Sequence, residues 1–203
     1  MMLRSRKFCA VVTAAACVVS LAALRGAPPQ DPRPAARPPG ADALQRAREL
    51  AQLAPEHQEL RRLAGSWKVS LRTTSPDGQT HEDQGAVVGK AMLGGRYLGL
   101  AFELDIQGNE VEALQILGFD TLRGRYTASW RDTGTTWSID CEGAPGDEAF
   151  VMTMFGSMVD AVTPAGRPFR LQIDARSRAR IEVKIWEGAI GAEVLLQEQR
   201  WVR

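Results

Sequence analysis

Few residues of this sequence could carry acid–base or metal chemistry, because it contains only two histidines, His57 and His81. His81 is followed directly by Glu82 and Asp83, and together these are residue types that bind metals. Side chains alternate between the two faces of a strand, so His81 and Asp83 could converge whereas Glu82 could not. Because two ligands make a weak site, we interpret this stretch as an exposed polar hairpin and predict no metal site.

A hydrolytic centre has no visible components in the sequence. A serine triad would need one of the two histidines as its base, and no Gly-x-Ser-x-Gly elbow precedes a predicted helix. Glycine-rich phosphate loops, Cys-x-x-Cys pairs and His-Glu-x-x-His motifs are also absent from the sequence. We predict that His57 caps a helix or hydrogen-bonds a chain end, and we predict no catalytic residues and no cofactor. A hydrolase-like or isomerase-like enzyme is the less favoured alternative.

Cys141 has no disulfide partner once the N-terminal segment that holds Cys9 and Cys17 is removed. No candidate base lies near Cys141 in the sequence, so we predict a buried structural thiol rather than a nucleophile. A chain exported in this state depends on its apolar core and not on disulfide bonds.

The N-terminal residues have the layout of a secretory signal peptide. Three basic side chains within residues 4–7 precede an uncharged apolar run that ends at Leu24. Residues 1–24 are therefore predicted to direct export to the periplasm or the extracellular space, and the best cleavage motif ends at Ala22. An uncleaved membrane anchor and lipidation at Cys17 are the alternatives.

A proline-rich segment follows the predicted signal peptide. Residues 25–41 hold six of the eleven prolines and no large apolar side chain, which predicts a disordered linker. Residues 42–203 remain for a folded domain. The formal net charge of +1 does not favour nucleic acid as a partner. A membrane is a predicted partner only through the N-terminal segment, if that segment is not cleaved.

The folded domain is predicted to begin with a short helical segment. Helical periodicity begins at Asp42, which we predict as the N-cap, and Pro55 breaks it. A second short turn should place Leu60 and Leu63 on one face, and Gly65 should end it.

From Trp67 onward the apolar period is two, which predicts β-strands. Turn clusters such as "LGGR", "IQGN" and "APGD" separate about ten such runs, with no helix long enough for a parallel crossover. We predict a mainly β fold, an antiparallel up-and-down β-barrel of about ten strands, because closure removes the sheet edges. A two-sheet sandwich is the alternative.

A barrel of this size has an interior that could hold a small ligand. An interior volume above about 300 Å³ would favour a ligand, and a filled barrel would favour a function of the outer surface. The side chains predicted to line the interior could also fill it as an ordinary core. They are Tyr126, Trp130, Trp137, Cys141, Met152 and Met154.

The stretch Gly65-Ser66-Trp67 stands at the start of the first predicted strand. We predict that Trp67 plugs one end of the barrel and that Arg200, in the last strand, lays its guanidinium over the indole. Arg203 is a rival for this role. The Gly-x-Trp motif with an arginine near the C-terminus resembles the lipocalin and calycin barrels.

Three longer motifs run through the predicted domain: "HQELRRLAGSW" from His57, "LGGRYL" from Leu93 and "GFDTLRGRYTASWRD" from Gly118. They resemble the bacterial domain-of-unknown-function family numbered 1579, from about His57 to the C-terminus. The resemblance implies a lipocalin-like barrel without an assigned activity. Read as structure, Gly94 and Gly95 permit a tight turn, and Asp120 caps the "DTLRG" turn.

We therefore expect an exported barrel that carries or senses a small apolar or amphipathic molecule. The alternative is an interaction or structural module of the cell envelope, with a filled barrel and a functional outer surface.

Overall fold

The computed structural model of the protein describes residues 40–75, 78–159 and 163–203. The predicted signal peptide lies outside these residues, and so does the predicted linker except for Gly40 and Ala41. Within the described part of the chain, no helix is both long enough and apolar enough to cross a membrane.

Two short helices precede the strands. Helix α1 spans Ala41–Leu50, helix α2 spans Pro55–Leu60, and a 3₁₀ turn continues α2 through Arg61–Leu63. Gly40, and not Asp42, is the N-cap of α1, so the predicted cap was wrong by two residues. Asp42 lies in the first turn instead, where a carboxylate still favours the positive end of the helix dipole.

The second helix begins as predicted, with Pro55 in its first turn, where the missing N–H leaves no hydrogen bond unmade. The backbone N–H of Ala54 donates to Nδ1 of His57 at 3.0 Å, so this histidine caps the helix as expected.

Ten antiparallel strands follow, and each pairs with the next in the chain. The last strand pairs with the first, which confirms the closed up-and-down barrel and excludes the sandwich. The strands are β1 Gly65–Thr74, β2 Thr80–Met92, β3 Tyr97–Ile106, β4 Asn109–Asp120, β5 Arg125–Asp132, β6 Ile139–Gly143, β7 Val151–Met158, β8 Arg167–Asp174, β9 Arg180–Glu187 and β10 Val194–Val202.

The turns between strands follow the sequence signals. Gly94 and Gly95, between β2 and β3, adopt φ values of 70° and 88°, which glycine tolerates without a Cβ clash. Between β4 and β5, a carboxylate oxygen of Asp120 accepts hydrogen bonds from the backbone N–H groups of Leu122 and Arg123, at 2.9 Å and 3.1 Å. Both turns therefore form by the predicted mechanism.

Alternate side chains of every strand point into the barrel. In β1 the buried positions are Trp67, Val69 and Leu71, and the residues between them are exposed. The largest fully buried side chains of the barrel come from most of its strands: Trp201, Tyr126, Leu98, Leu100, Leu117, Met152, Met154, Ile173, Ile181 and Val87.

The two ends of the barrel differ. At the end where β1 begins, which we call the closed end, Leu60 and Leu63 of the helical segment are buried against the barrel. The carbonyl of Leu63 comes so near β2 that a Cβ at Gly89 would lie 2.2 Å from its oxygen, so only glycine fits there. The other end, where the β1–β2, β3–β4, β5–β6, β7–β8 and β9–β10 connections lie, is called the open end.

Trp67 plugs the closed end. Its side chain is 2% exposed, and the indole N–H donates to the carbonyl of Leu63 at 3.0 Å. The guanidinium of Arg203 lies over the indole, 4.5 Å from the ring centroid, and also donates to the carbonyl of Ala64 at 3.4 Å. Gly65 starts β1 with a φ of 111°, which lets the chain turn from the helical segment into the strand.

The predicted partner Arg200 is therefore wrong, and its rival Arg203 occupies the position. Arg200 lies between Gln199 and Trp201 in the last strand, and both of these side chains point into the barrel. The alternation of the strand therefore turns Arg200 to the exposed outer face. Arg203 follows the end of the strand and is free of that alternation.

We predict that Trp67→Ala lowers the free energy of unfolding by about 3–5 kcal/mol, because it removes a large aromatic from a filled barrel end. Urea unfolding monitored by far-UV circular dichroism measures this change. Trp137→Ala is the matched control, since Trp137 is 41% exposed, and it should cost much less. Similar losses for the two variants would show that Trp67 is not a plug.

We predict that Arg203→Ala lowers the free energy of unfolding by about 0.5–1 kcal/mol, the size of a cation–π contact at a solvent-accessible site. Arg200→Ala should change it by less than about 0.5 kcal/mol, as is usual for surface substitutions. The two variants are compared by urea unfolding in one buffer. A larger loss in Arg200→Ala would contradict the assignment.

Candidate functional site

The barrel is filled near the closed end and hollow toward the open end. Met152 and Met154, on β7, are each 0% exposed, and Leu117, Ile173 and Ile181 are packed as tightly. Beyond them, toward the open end, lies a cavity of about 280 Å³.

The lining of this cavity is mostly apolar. Four aromatic side chains contribute to it, and three of them form a cluster: the ring centroids of Phe102 and Trp130 are 5.1 Å apart, and those of Phe102 and Trp201 are 5.6 Å apart. Such tilted and edge-on arrangements are the favourable ones for aromatic pairs. The other apolar lining residues include Ile139, Met158, Phe169, Leu171 and Ile185.

Of the six residues predicted to line the interior, Trp130 and Cys141 contribute to the cavity. Tyr126, Met152 and Met154 point into the barrel as expected but belong to its filled part. Trp137 is not in a strand: it lies in the loop between β5 and β6, and its indole N–H donates to the carbonyl of Val159 at 2.9 Å. Contact of any of these residues with a ligand stays a prediction.

Tyr126 belongs to a hydrogen-bonded cluster at the closed end. Its hydroxyl donates to Oε2 of Glu59 at 2.8 Å, and the backbone N–H of Phe150 donates to the same oxygen at 3.1 Å. Burial, together with the hydrogen bond to Glu59, raises the pKa of Tyr126 well above its usual value. This residue therefore ties α2 to the barrel and leaves no free hydroxyl for a ligand.

The same cluster holds a strained residue. Phe150 has a φ of 65°, a left-handed conformation that costs a bulky side chain about 1–3 kcal/mol. Its backbone N–H is held by Glu59, and the guanidinium of Arg62 lies 3.9 Å from the centroid of its ring. These contacts stabilise the strained turn at the start of β7.

The Cys141 thiol lies in the barrel wall beside the cavity. Burial, with a smaller contribution from the charge of Asp140, raises the pKa of this thiol to about 12. Because the thiolate is the reactive form, this raised pKa lowers the reactivity of Cys141 at neutral pH. A structural thiol was the prediction, and its burial fits that role.

Four polar side chains interrupt the apolar lining: Thr73, Gln115, Gln197 and Gln199. The indole N–H of Trp201 donates to Oε1 of Gln199 at 2.9 Å, and Nε2 of Gln199 donates to Oε1 of Gln197 at 2.9 Å. Nε2 of Gln197 in turn donates to Oγ1 of Thr73 at 3.2 Å. A ladder of hydrogen bonds thus runs along the inner face of β10 and crosses to β1.

None of these polar residues was predicted to line the cavity. A usable signal was present, because "QEQRW" places Gln197, Gln199 and Trp201 at alternate positions of one strand. Gln115 likewise follows Val111 and Ala113 at alternate positions. Alternation with a large buried aromatic would have assigned the glutamines to the inner face.

The two histidines, His57 and His81, lie in different parts of the structure. His81 pairs with Thr73 across β1 and β2, and Asp83 accepts a hydrogen bond from the backbone N–H of Gln107 at 2.9 Å. In residues 40–75, 78–159 and 163–203, no three His, Cys, Asp or Glu side chains are grouped to hold a metal ion.

Larger concavities occur on the outer surface of the barrel, but their lining is charged. One of about 830 Å³ lies across β1 to β4 and includes Glu103, Asp105, Glu110 and Glu112. The interior cavity is closer in character to small-molecule sites, which are concave and mainly apolar with a few polar groups.

Comparison with solved structures shows the same barrel fold. The crystal structure of Rv2717c from M. tuberculosis matches with a TM-score of 0.53 at 15% identity, over 75% of this chain and 99% of that chain. The S-type phycobiliprotein lyase CPES from Guillardia theta matches with a TM-score of 0.50 at 9% identity, over 77% of this chain and 96% of that chain. At these identities the likeness extends to the fold and no further.

The sequence matches no curated protein. It does match a protein family described as "Protein of unknown function (DUF1579)" over residues 52–185, the region from the α1–α2 connection into β9. This match covers most of the barrel and agrees with the resemblance carried by the "HQELRRLAGSW", "LGGRYL" and "GFDTLRGRYTASWRD" motifs. The chain therefore belongs to the DUF1579 family of proteins of unknown function.

Proposed function

We propose that this protein is exported and binds a small apolar or amphipathic molecule inside its barrel, as a carrier or a sensor. The observation that supports this proposal is the cavity of about 280 Å³ in the open half of the barrel. Its lining of aromatic and aliphatic side chains favours an apolar ligand, and its few polar groups can orient one.

The volume of the cavity restricts the ligand to small molecules. Sites for drug-sized ligands occupy roughly 300–1,000 Å³, and this cavity lies just below that range. A ligand that buries about 200 Å² of apolar surface gains about 5 kcal/mol from leaving water, before the entropy of association is subtracted. Stronger binding would require hydrogen bonds with the polar lining.

The alternative function, an envelope module, was based on a wholly filled barrel. Only the closed half of the barrel fits that description. There the plug Trp67 and the methionines Met152 and Met154 of β7 are buried. In the open half, Ala128 lines the cavity together with apolar side chains of β8 and β9. The cavity, at about 280 Å³, lies just below the volume of about 300 Å³ expected for a ligand site, so its apolar lining and not its volume supports the ligand-binding proposal.

Export is the second element of the proposal. The basic residues at 4–7 and the apolar run that ends at Leu24 support it, because this is the layout of a signal peptide. The proline-rich residues 25–41 would then separate the processed N-terminus from the barrel.

We predict that the protein, purified gently from the organism that produces it, retains a small molecule in native mass spectrometry and loses it on denaturation. Ala128→Leu should reduce the retained fraction at least about tenfold, because added methyl groups fill a cavity-lining position. Ala101→Leu is the matched control: it makes the same change on an exposed position of β3 and should retain the ligand. A bare protein mass, before and after incubation with apolar small molecules, would contradict the proposal.

We predict that the protein is recovered from the periplasm or the medium with its N-terminal segment removed near Ala22. The intact mass of the recovered chain measures the cleavage position. A full-length chain in the membrane fraction would instead show that the segment is retained as an anchor, and a full-length cytoplasmic chain would contradict export.

A further inference from the structure

We propose that the cavity selects an uncharged ligand with a hydrogen-bonding group such as a hydroxyl, carbonyl or carboxamide, and that Gln115 binds this group. The inference rests on the proposed function, since it specifies the ligand of the same cavity.

Gln115 is buried in the barrel without a partner for its side chain. It lies in the middle of β4, between Leu100 of β3 and Trp130 of β5, and its side chain is on the inner face. It is 8% exposed and lines the cavity. In the described part of the chain, no group hydrogen-bonds its carboxamide, and the carboxamide is accessible from the cavity rather than sealed in the core.

The other polar lining residues differ from Gln115 in this respect. Gln197, Gln199 and Thr73 are joined in the ladder that begins at the indole of Trp201. Each of the two glutamines in the ladder both donates and accepts a hydrogen bond. Gln115 thus has the largest unused hydrogen-bonding capacity of the lining, with two N–H donors and one carbonyl acceptor.

A ligand that enters the cavity must form a hydrogen bond with this carboxamide to avoid leaving it unpaired. Leaving a buried amide unpaired against an apolar surface is unfavourable, whereas a hydrogen bond to it is favourable. A purely apolar molecule therefore leaves Gln115 unsatisfied. A molecule with one hydroxyl or carbonyl in reach of Gln115 therefore binds more tightly than the purely apolar molecule.

The lining also disfavours a charged ligand. None of the described residues that line the cavity is charged. Asp132 accepts a hydrogen bond from the indole of Trp130 at 2.7 Å, and Arg167, at the start of β8, is bridged to Glu187 at 2.8 Å. A carboxylate or ammonium that entered would lose its hydration without an opposite charge to replace it.

The size of the cavity sets the size of the molecule. A cavity of about 150 Å³ is known to hold benzene, so about 280 Å³ suits a molecule of roughly twice that size, about a dozen non-hydrogen atoms. Two fused aromatic rings with one polar substituent fit this description, and they match the aromatic cluster of Phe102, Trp130 and Trp201. A long-chain lipid is too large.

Four probes with one ring system test the inference: naphthalene, 2-naphthol, 2-naphthoate and 2-naphthylmethylammonium. Their dissociation constants are measured at pH 7 by ¹H–¹⁵N chemical-shift titration of the protein as its host produces it. We expect 2-naphthol to bind about 3- to 10-fold more tightly than naphthalene, as one net hydrogen bond provides. The two charged probes should bind at least about tenfold more weakly than 2-naphthol.

Gln115→Leu should bring the ratio of naphthalene to 2-naphthol dissociation constants to about one while naphthalene binding persists, because it removes the carboxamide at similar volume. Gln115→Met serves the same purpose if the leucine variant does not fold. Met158→Leu is the control, since it alters an apolar lining position and should preserve the wild-type ratio.

The outcomes separate the inference from the proposed function. Equal binding of naphthalene and 2-naphthol, an unchanged ratio in the Gln115 variants, or tight binding of a charged probe would overturn the role of Gln115 and leave the cavity as a ligand site. Failure of all four probes to bind, together with a bare protein mass in native mass spectrometry, would overturn the proposed function itself.

Discussion

The antiparallel pairing of β1 with β10 is the constraint on which the rest of the structure depends. Six residue pairs, from Lys68 with Val202 to Thr73 with Gln197, close the sheet and leave neither edge strand exposed. Closure also fixes which side chains point inward, because alternation continues unbroken around the barrel. Eight strands enclose a space that side chains just fill, so ten strands enclose more than their own side chains occupy.

The protein fills this extra space from one end. The helical segment contributes Leu60 and Leu63, Trp67 hydrogen-bonds the Leu63 carbonyl, and Glu59 accepts hydrogen bonds from both Tyr126 and Phe150. These contacts join α2, β1, β5 and the start of β7, and they therefore hold the elements of the closed end together. Among residues 78–159 and 163–203, no helix packs into the barrel from the open end. The cavity is thus the part of the interior that the helical segment does not reach.

This division explains how far the sequence could predict the candidate site. The ten strands were predictable because period-two alternation and turn signals are local, and the same holds for the turns at Gly94 and Asp120. Alternation assigned Tyr126, Met152 and Met154 to the interior correctly, but it carries no information on depth along the barrel axis. Depth depends on strand tilt and register, which are properties of the closed sheet. The prediction that Trp137 points inward from a strand was wrong for a simpler reason. Strand β6 begins two residues after Trp137, and the loop places its indole near the surface.

Polar residues in the interior decide what such a cavity can distinguish. An apolar pocket discriminates weakly between ligands that differ by a methylene group, whereas a buried hydrogen-bonding group discriminates strongly against ligands that leave it unpaired. The ladder from Trp201 to Thr73 satisfies three polar side chains within the protein and makes that wall of the cavity rigid. Gln115 stands outside the ladder, on β4, and keeps its donors and acceptor for whatever enters. If the cavity binds a ligand as proposed, selectivity would therefore depend on one carboxamide more than on the many apolar contacts around it.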